Sequence, residues 1–232
     1  MKYKMILFDL DGTTLDTLKD LSDSVNYVLK NNGYPLRTVR EIRSYLGNGI
    51  QRLIELSLPA DVTEAETEKV YNEFLPYYKE HALDETKAYD GITDTIIELK
   101  DKGYLTALVS NKADVVVQKL VNRFFNGLFD FTIGQKDGIN RKPAPDMVNL
   151  ALNTFNVQPG EALYIGDSEV DVETARNALM DVMCVSYGFR DKEDLIRLNP
   201  DFIVDSPTEI LKVLNKLKGN EFTTFYTLNQ KE

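Results

Sequence analysis

The sequence predicts an α/β fold: a doubly wound, mostly parallel, Rossmann-like sheet with an α-helical subdomain inserted after its first strand. Three observations carry this reading. The apolar run Met5-Ile6-Leu7-Phe8 leads straight into Asp9-Leu10-Asp11-Gly12, and a strand apolar on both faces suits a parallel sheet covered by helices on both sides. Beyond residue 91, short apolar strands alternate with stretches of helical periodicity, the rhythm of right-handed strand–helix–strand crossovers. Between these regions, residues 16–89 read as helix after helix with no convincing strand, which a layered domain accommodates as an insertion. The expected division is therefore a core of residues 1–15 and 90–217, a helical subdomain of 16–89, and a polar C-terminal tail of 218–232.

In chain order, Asp16 or Thr17 is placed to cap a first helix whose apolar positions Leu18, Leu21, Val25, Val28 and Leu29 share one face, ended at Asn32-Gly33. Further helices are predicted over 39–46, 50–58 and 64–81. Tyr71, Phe74, Tyr77 and Tyr78 fall on the last of these at helical spacing and read as packing residues. The alternating region is predicted as helix 92–102, strand 104–109 ending in Ser110-Asn111, helix 114–124, strand 129–133, helix 147–155 and strand 162–165 ending in Gly166-Asp167. Helix 170–180, strands 182–185 and 202–204, and a closing helix 208–217 complete it.

With 27 Lys and Arg against 37 Asp and Glu, the chain lacks the basic footprint of a general nucleic-acid or anionic-membrane binder. No apolar run approaches the length of a membrane span, and the N-terminus shows no signal pattern. The single cysteine, Cys184, forbids an intramolecular disulfide and reads as a small buried hydrophobe. The single histidine, His81, excludes a histidine-rich metal site and reads as a solvated residue at a helix end. A cytoplasmic location is expected.

Chemistry-bearing residues recur at successive strand ends, the edge of an open α/β sheet where ligands bind. Asp9 and Asp11 follow the first strand, Ser110 and Asn111 the second, and Asp167 and Asp171 a later one, with Lys142 in the loop Arg141-Lys142-Pro143-Ala144-Pro145. Each has a structural alternative: a turn for Asp-x-Asp-Gly, helix capping for Ser110 and Asn111, a solvated charge for Lys142, a helix N-terminus for Asp167 and Asp171. Together they form a balanced set for phosphoryl transfer: carboxylates for a divalent cation, a hydroxyl and an amide for phosphate oxygens, and a lysine to offset the charge.

The strings Asp9-Leu10-Asp11-Gly12-Thr13, the strand ending in Ser110-Asn111, Lys142-Pro143-Ala144-Pro145 and Gly166-Asp167-Ser168-Glu169-Val170-Asp171 resemble, in order, the four motifs of the haloacid dehalogenase-like hydrolases, most of which are phosphatases. Ser110-Asn111-Lys112, Leu46-Gly47-Asn48-Gly49, Asn140-Arg141-Lys142-Pro143 and Gly188-Phe189-Arg190 are most similar to the phosphoglycolate phosphatase branch, and the helical insertion resembles that family's cap.

The resemblance implies that Asp9 is the nucleophile that forms an aspartyl phosphate and that Asp11 is the general acid and base. It implies that Ser110, the Asn111 backbone and Lys142 bind the phosphate. Mg²⁺ would be held by Asp9, the Asp11 carbonyl and Asp167, with Asp171 as a fourth acidic partner or behind them. The implied substrate is a small phosphorylated metabolite such as 2-phosphoglycolate. Pyrophosphatase, nucleotidase, sugar phosphatase and β-phosphoglucomutase activities are the enzymatic alternatives, and a phosphometabolite-binding regulatory protein is the non-enzymatic one. Two departures stand out: Tyr89-Asp90-Gly91 has no proline before the glycine, and Ser110 replaces a threonine but keeps the hydroxyl.

Overall fold

A computed structural model describes residues 2–218. Apart from its first residue, the predicted polar tail lies outside the described residues. The chain begins with β1 (Met5–Phe8) and β2 (Leu15–Asp16), then runs through α1 (Leu18–Asn31), α2 (Val39–Tyr45), α3 (Gly49–Ser57) and α4 (Glu64–His81) to β3 (Lys87–Ala88). It continues with α5 (Ile92–Asp101), β4 (Leu105–Ala113), α6 (Asp114–Phe124), β5 (Phe131–Gln135), α7 (Asp146–Thr154) and β6 (Ala162–Gly166). The last elements are α8 (Glu169–Asn177), β7 (Asp181–Val185), α9 (Lys192–Arg197), β8 (Phe202–Val204) and α10 (Pro207–Lys218).

Among the described residues, the main sheet has the order β5-β4-β1-β6-β7-β8, and all its pairings are parallel. The apolar β1 lies between β4 and β6, and its alternating side chains serve two cores. Ile6 and Phe8 join the cluster containing Val25, Ile96, Leu120 and Ile210, while Met5 and Leu7 join that of Met147, Ala151, Val172 and Ala175. Each such side chain contributes on the order of 2 kcal/mol by leaving water, so both faces of β1 are fixed. The strand order reverses on either side of β1, the topological switch point of a doubly wound sheet. Asp9 stands immediately beyond it, its N–H donating to Ile165 O at 2.9 Å.

Helices α1–α4 lie between β2 and β3, as an insertion outside the main sheet. Thr38 and Thr63 start α2 and α4 with capping boxes closed by Glu41 and Glu66. Phe74 and Tyr78 are buried in the packing of α4, whereas Tyr77 stacks on Tyr27 at 3.8 Å, nearer the surface. The chain leaves and re-enters the core through two adjacent linkers paired as the β2–β3 ribbon. This ribbon was not predicted, because two residues per strand carry no periodicity. Asp20 of α1 ties the returning chain down by accepting from the N–H of Glu85 and Thr86 and from the Thr86 hydroxyl.

Two elements differ from expectation in ways that matter. The strand predicted to stop at residue 109 runs to Ala113, with a register shift between Val109 and Ala113. Such an irregularity re-aims side chains next to a site, and here it spans Ser110-Asn111-Lys112. Helix α9 was not predicted, since six largely charged residues with Leu195 buried make too short a pattern to read. Cys184 is buried and free, and His81 is half exposed and bonded to Asp84, both as expected. Among the described residues, no helix is long and apolar enough to cross a membrane.

Candidate active site

The strand ends converge on an open cleft between the sheet and the helical insertion. Its floor holds Asp9, Ser110, Asn111, Lys142 and Asp167, and Leu21, Leu46, Ile50 and Leu53 of the insertion wall it. Lys142 is 2% exposed, so the solvated-charge alternative fails. Its Nζ lies 2.8 Å from Asp9 Oδ1 and donates to Asp171 Oδ1 at 2.8 Å and to the Tyr164 hydroxyl at 3.0 Å. The two carboxylates outweigh desolvation and hold the lysine well above its ordinary range.

Asn111 fixes the lysine in place. Its side chain accepts from Lys142 N at 2.7 Å and donates to Lys142 O at 2.9 Å. The same amide group reaches the insertion at Gly47 O, 3.1 Å away. Neither Ser110 nor Asn111 caps α6, which starts after Ala113 without a side-chain cap. Ser110 Oγ, nearly buried, accepts from Lys112 N at 3.2 Å at the edge of the cleft.

Asp9, Asp167 and Asp171 each offer an oxygen within 4.8 Å of the others. Asp171 is the most committed: Oδ2 accepts from the N–H of Asp167 and Ser168 and from the Ser168 hydroxyl, while Oδ1 accepts from Lys142. Closing the capping box of α8, it holds both the loop after β6 and the lysine. Asp167 accepts from the Thr13 hydroxyl and, at 2.7 Å, from Phe189 N. Asp9 Oδ1 is buried and makes no hydrogen bond among the described residues, since the Lys142 ammonium, though close, sits off the direction such a bond requires.

Burial pushes Asp9 up to about 7, against the opposing charge of Lys142, and Asp171 adds to the rise. Burial, Asp171 and Asp9 push Asp167 well up. Carboxylates so raised, gathered with oxygens within 4.8 Å of one another, are the hard-oxygen set a divalent cation would satisfy, so the residues present fit one. The room is made by glycine. A Cβ on Gly12, whose φ is +84°, would stand 2.3 Å from Asp167 Oδ2, and one on Gly188 would meet Asp167 Cβ at 2.4 Å.

Asp11 goes elsewhere. Although two residues from Asp9, its carboxylate is outside that group; Oδ1 accepts from Lys112 Nζ at 2.7 Å and the Thr17 hydroxyl at 2.6 Å, and Oδ2 from Lys112 at 2.9 Å. Thr17 precedes α1 but makes no side-chain cap, because its hydroxyl is spent on Asp11. Lys112, 3% exposed, was not singled out by the sequence reading. A lysine directly after Ser110-Asn111, inside an otherwise buried strand, was the available signal. Arg190 was quoted without a role; it pairs with Glu169 and donates to the carbonyls of Arg43 and Leu46, at the end of α2.

Comparison with known proteins gives the family. The family model for haloacid dehalogenase-like hydrolases matches residues 6–185. The chain belongs to that family. The haloacid dehalogenase-like chain is 32% identical to the phosphoglycolate phosphatase of Nitrosococcus oceani, over 92% of its own length and 97% of the relative's. It is 33% identical to that of Nitrosospira multiformis, covering 92% and 96%. Among solved structures, one from Lactobacillus delbrueckii subsp. bulgaricus, provisionally assigned as a phosphoglycolate phosphatase, superposes with a TM-score of 0.88 at 37% identity, covering 92% of this chain and 99% of that one. Phosphatases of the family generally use a divalent metal, for which the buried three-carboxylate group is a donor set.

Proposed function

We propose that this haloacid dehalogenase-like hydrolase is a cytoplasmic, Mg²⁺-dependent phosphomonoester hydrolase that acts on a small anionic ester of the 2-phosphoglycolate kind through a phosphorylated Asp9. The observation that carries it is Asp9 itself: a buried carboxylate with an oxygen lacking a hydrogen bond, at the floor of a cleft and 2.8 Å from a buried lysine.

Asp9 attacks phosphorus and the bond to the ester oxygen breaks, while Asp11 passes a proton to the leaving oxygen. Asp11 then takes a proton from water, which attacks the aspartyl phosphate and frees inorganic phosphate and Asp9. Ser110 and the Asn111 backbone hold the phosphate oxygens. Lys142 faces the nucleophile throughout and Asp171 keeps it there. Asp9, Asp167 and the Asp11 carbonyl, with Asp171 behind them, would hold a Mg²⁺ ion, which would supply positive charge between an anionic ester and an anionic nucleophile. The insertion acts as a cap that excludes bulk water, held by Arg190 and Asn111 through carbonyls at and just beyond the end of α2.

The test is phosphate release with Mg²⁺ across phosphoglycolate, sugar phosphates, nucleotides and pyrophosphate, for the natural chain and Asp9→Asn. Release by the natural chain, strongest with phosphoglycolate and abolished by Asp9→Asn, is expected. Turnover retained by Asp9→Asn would refute the nucleophile.

A further inference from the structure

We propose that Lys112 selects the leaving group: its ammonium receives a carboxylate-sized anionic group borne on the carbon next to the ester oxygen, while staying beside Asp11. The inference rests on the phosphatase reading above and adds to it the residue that reads the alcohol half of the substrate.

The first ground is position. Asp11 handles the proton of the leaving oxygen, and Lys112 Nζ lies 2.7 and 2.9 Å from the two Asp11 oxygens. A group bound to Lys112 is therefore a neighbour of the leaving oxygen. Lys112 also lines the cleft, and the Tyr78 ring of α4, 4.9 Å from Nζ, backs it.

The second ground is the state of the other cations lining the cleft. Lys142 is held by Asp9, Asp171 and Tyr164. Arg190 is held by both oxygens of Glu169 and by carbonyls at the end of α2. In each case a carboxylate stays in place through the reaction. The carboxylate on Lys112 is Asp11, which must turn an oxygen first to the leaving group and then to water. In turning it gives up at least one of its bonds to Lys112, and a buried ammonium that loses part of its pairing is costly. A substrate carboxylate two atoms from the phosphorus-bound oxygen takes the vacated place.

The third ground is the apolar part of the lining. Leu46, Ile50 and Leu53 are apolar, so their side chains offer a charged leaving group nothing. A neutral alcohol would be tolerated there but would leave Lys112 without its replacement partner.

The experiment measures kcat and KM with Mg²⁺ for phosphoglycolate and for ethyl phosphate, whose leaving group has two carbons and no charge. The natural chain, Lys112→Met and Lys112→Arg are compared. Charge-assisted hydrogen bonds of this kind support a preference of about tenfold or more for phosphoglycolate in the natural chain. Lys112→Met is expected to erase it, chiefly through KM for phosphoglycolate, and Lys112→Arg to restore part of it. Equal losses on both esters would reduce Lys112 to a support for Asp11 and overturn the proposal, as would a natural chain without preference. No phosphate release from either ester by the natural chain would overturn the phosphatase reading, and this inference with it. Should Lys112→Met fail to unfold cooperatively, inhibition of the natural chain decides the matter, with ethyl phosphate as substrate. Glycolate is expected to inhibit about tenfold more strongly than ethylene glycol, and equal inhibition would overturn the proposal.

Discussion

Removing divalent cations and raising the pH should each weaken the folded protein, and through the same carboxylates. Burial pushes Asp9 up from its ordinary 3.8 to about 7, so the native state binds this proton more tightly than the unfolded chain does. Stability from that proton is fully present below the unfolded value and is lost as pH rises through about 7. At ~1.4 kcal/mol per pH decade, the loss between about pH 5.5 and about pH 8 comes to roughly 2 kcal/mol for Asp9. For a chain of this size that corresponds to a fall of about 4–8 °C in Tm. Asp167, pushed well up by burial, Asp171 and Asp9, acts in the same direction. Thermal melts in chelator at the two pH values, for the natural chain and Asp9→Asn, isolate the Asp9 share, because an amide does not titrate. Mg²⁺ needs the carboxylates ionised, so its stabilisation should be larger at the higher pH. Identical pH slopes for the two proteins, or a Mg²⁺ effect independent of pH, would refute this reasoning.

Two further outcomes follow from single contacts. Thr17→Val removes the 2.6 Å bond to Asp11 Oδ1; a hydrogen bond to a charged group contributes about 1.5–3 kcal/mol, so steady-state kinetics should show kcat down about tenfold or more with KM little changed. Gly12→Ala sets a Cβ 2.3 Å from Asp167 Oδ2 at a φ of +84°, and should abolish both phosphate release and the rise in Tm on adding Mg²⁺.

What was legible in the sequence was what repeats or what clusters. The apolar run of β1, the strand–helix rhythm and the helical insertion are periodic signals. Asp9, Ser110, Asn111, Lys142, Asp167 and Asp171 stood out as polar residues at the ends of apolar strands, and the fold brings them to one cleft. What was not legible depends on three dimensions. Spacing alone put Asp9 and Asp11 together, yet the chain turns after β1 and sends Asp11 to Lys112 and Thr17. Thr17 looked like a helix cap because a capping hydroxyl and a hydroxyl aimed at the Asp11 carboxylate occupy the same place in a sequence. Lys112 lay beyond the predicted end of its strand at residue 109, so the signal of a lysine inside a buried strand emerges only once β4 is seen to run to Ala113.

The division of labour in the cleft follows from which side supplies which atoms. The core contributes the carboxyl and amino groups: Asp9, Asp11, Asp167, Lys112 and Lys142 all stand on strand ends or the loops after them. The insertion contributes apolar walls, through Leu21, Leu46, Ile50 and Leu53, and backbone carbonyls gripped by the core, at Arg43, Leu46 and Gly47. In the proposed mechanism a phosphoryl group is handled entirely by the core, so substitutions in the walls should change the choice of alcohol before they change the chemistry. Lys112 sits where the two meet, on a core strand but against the Tyr78 ring of α4. Displacing the insertion would strip away that ring and expose the ammonium to water, where its attraction for a carboxylate is weak. The proposed discrimination among leaving groups is thus tied to the insertion being in place, whereas the proposed attack by Asp9 depends on groups the core holds by itself.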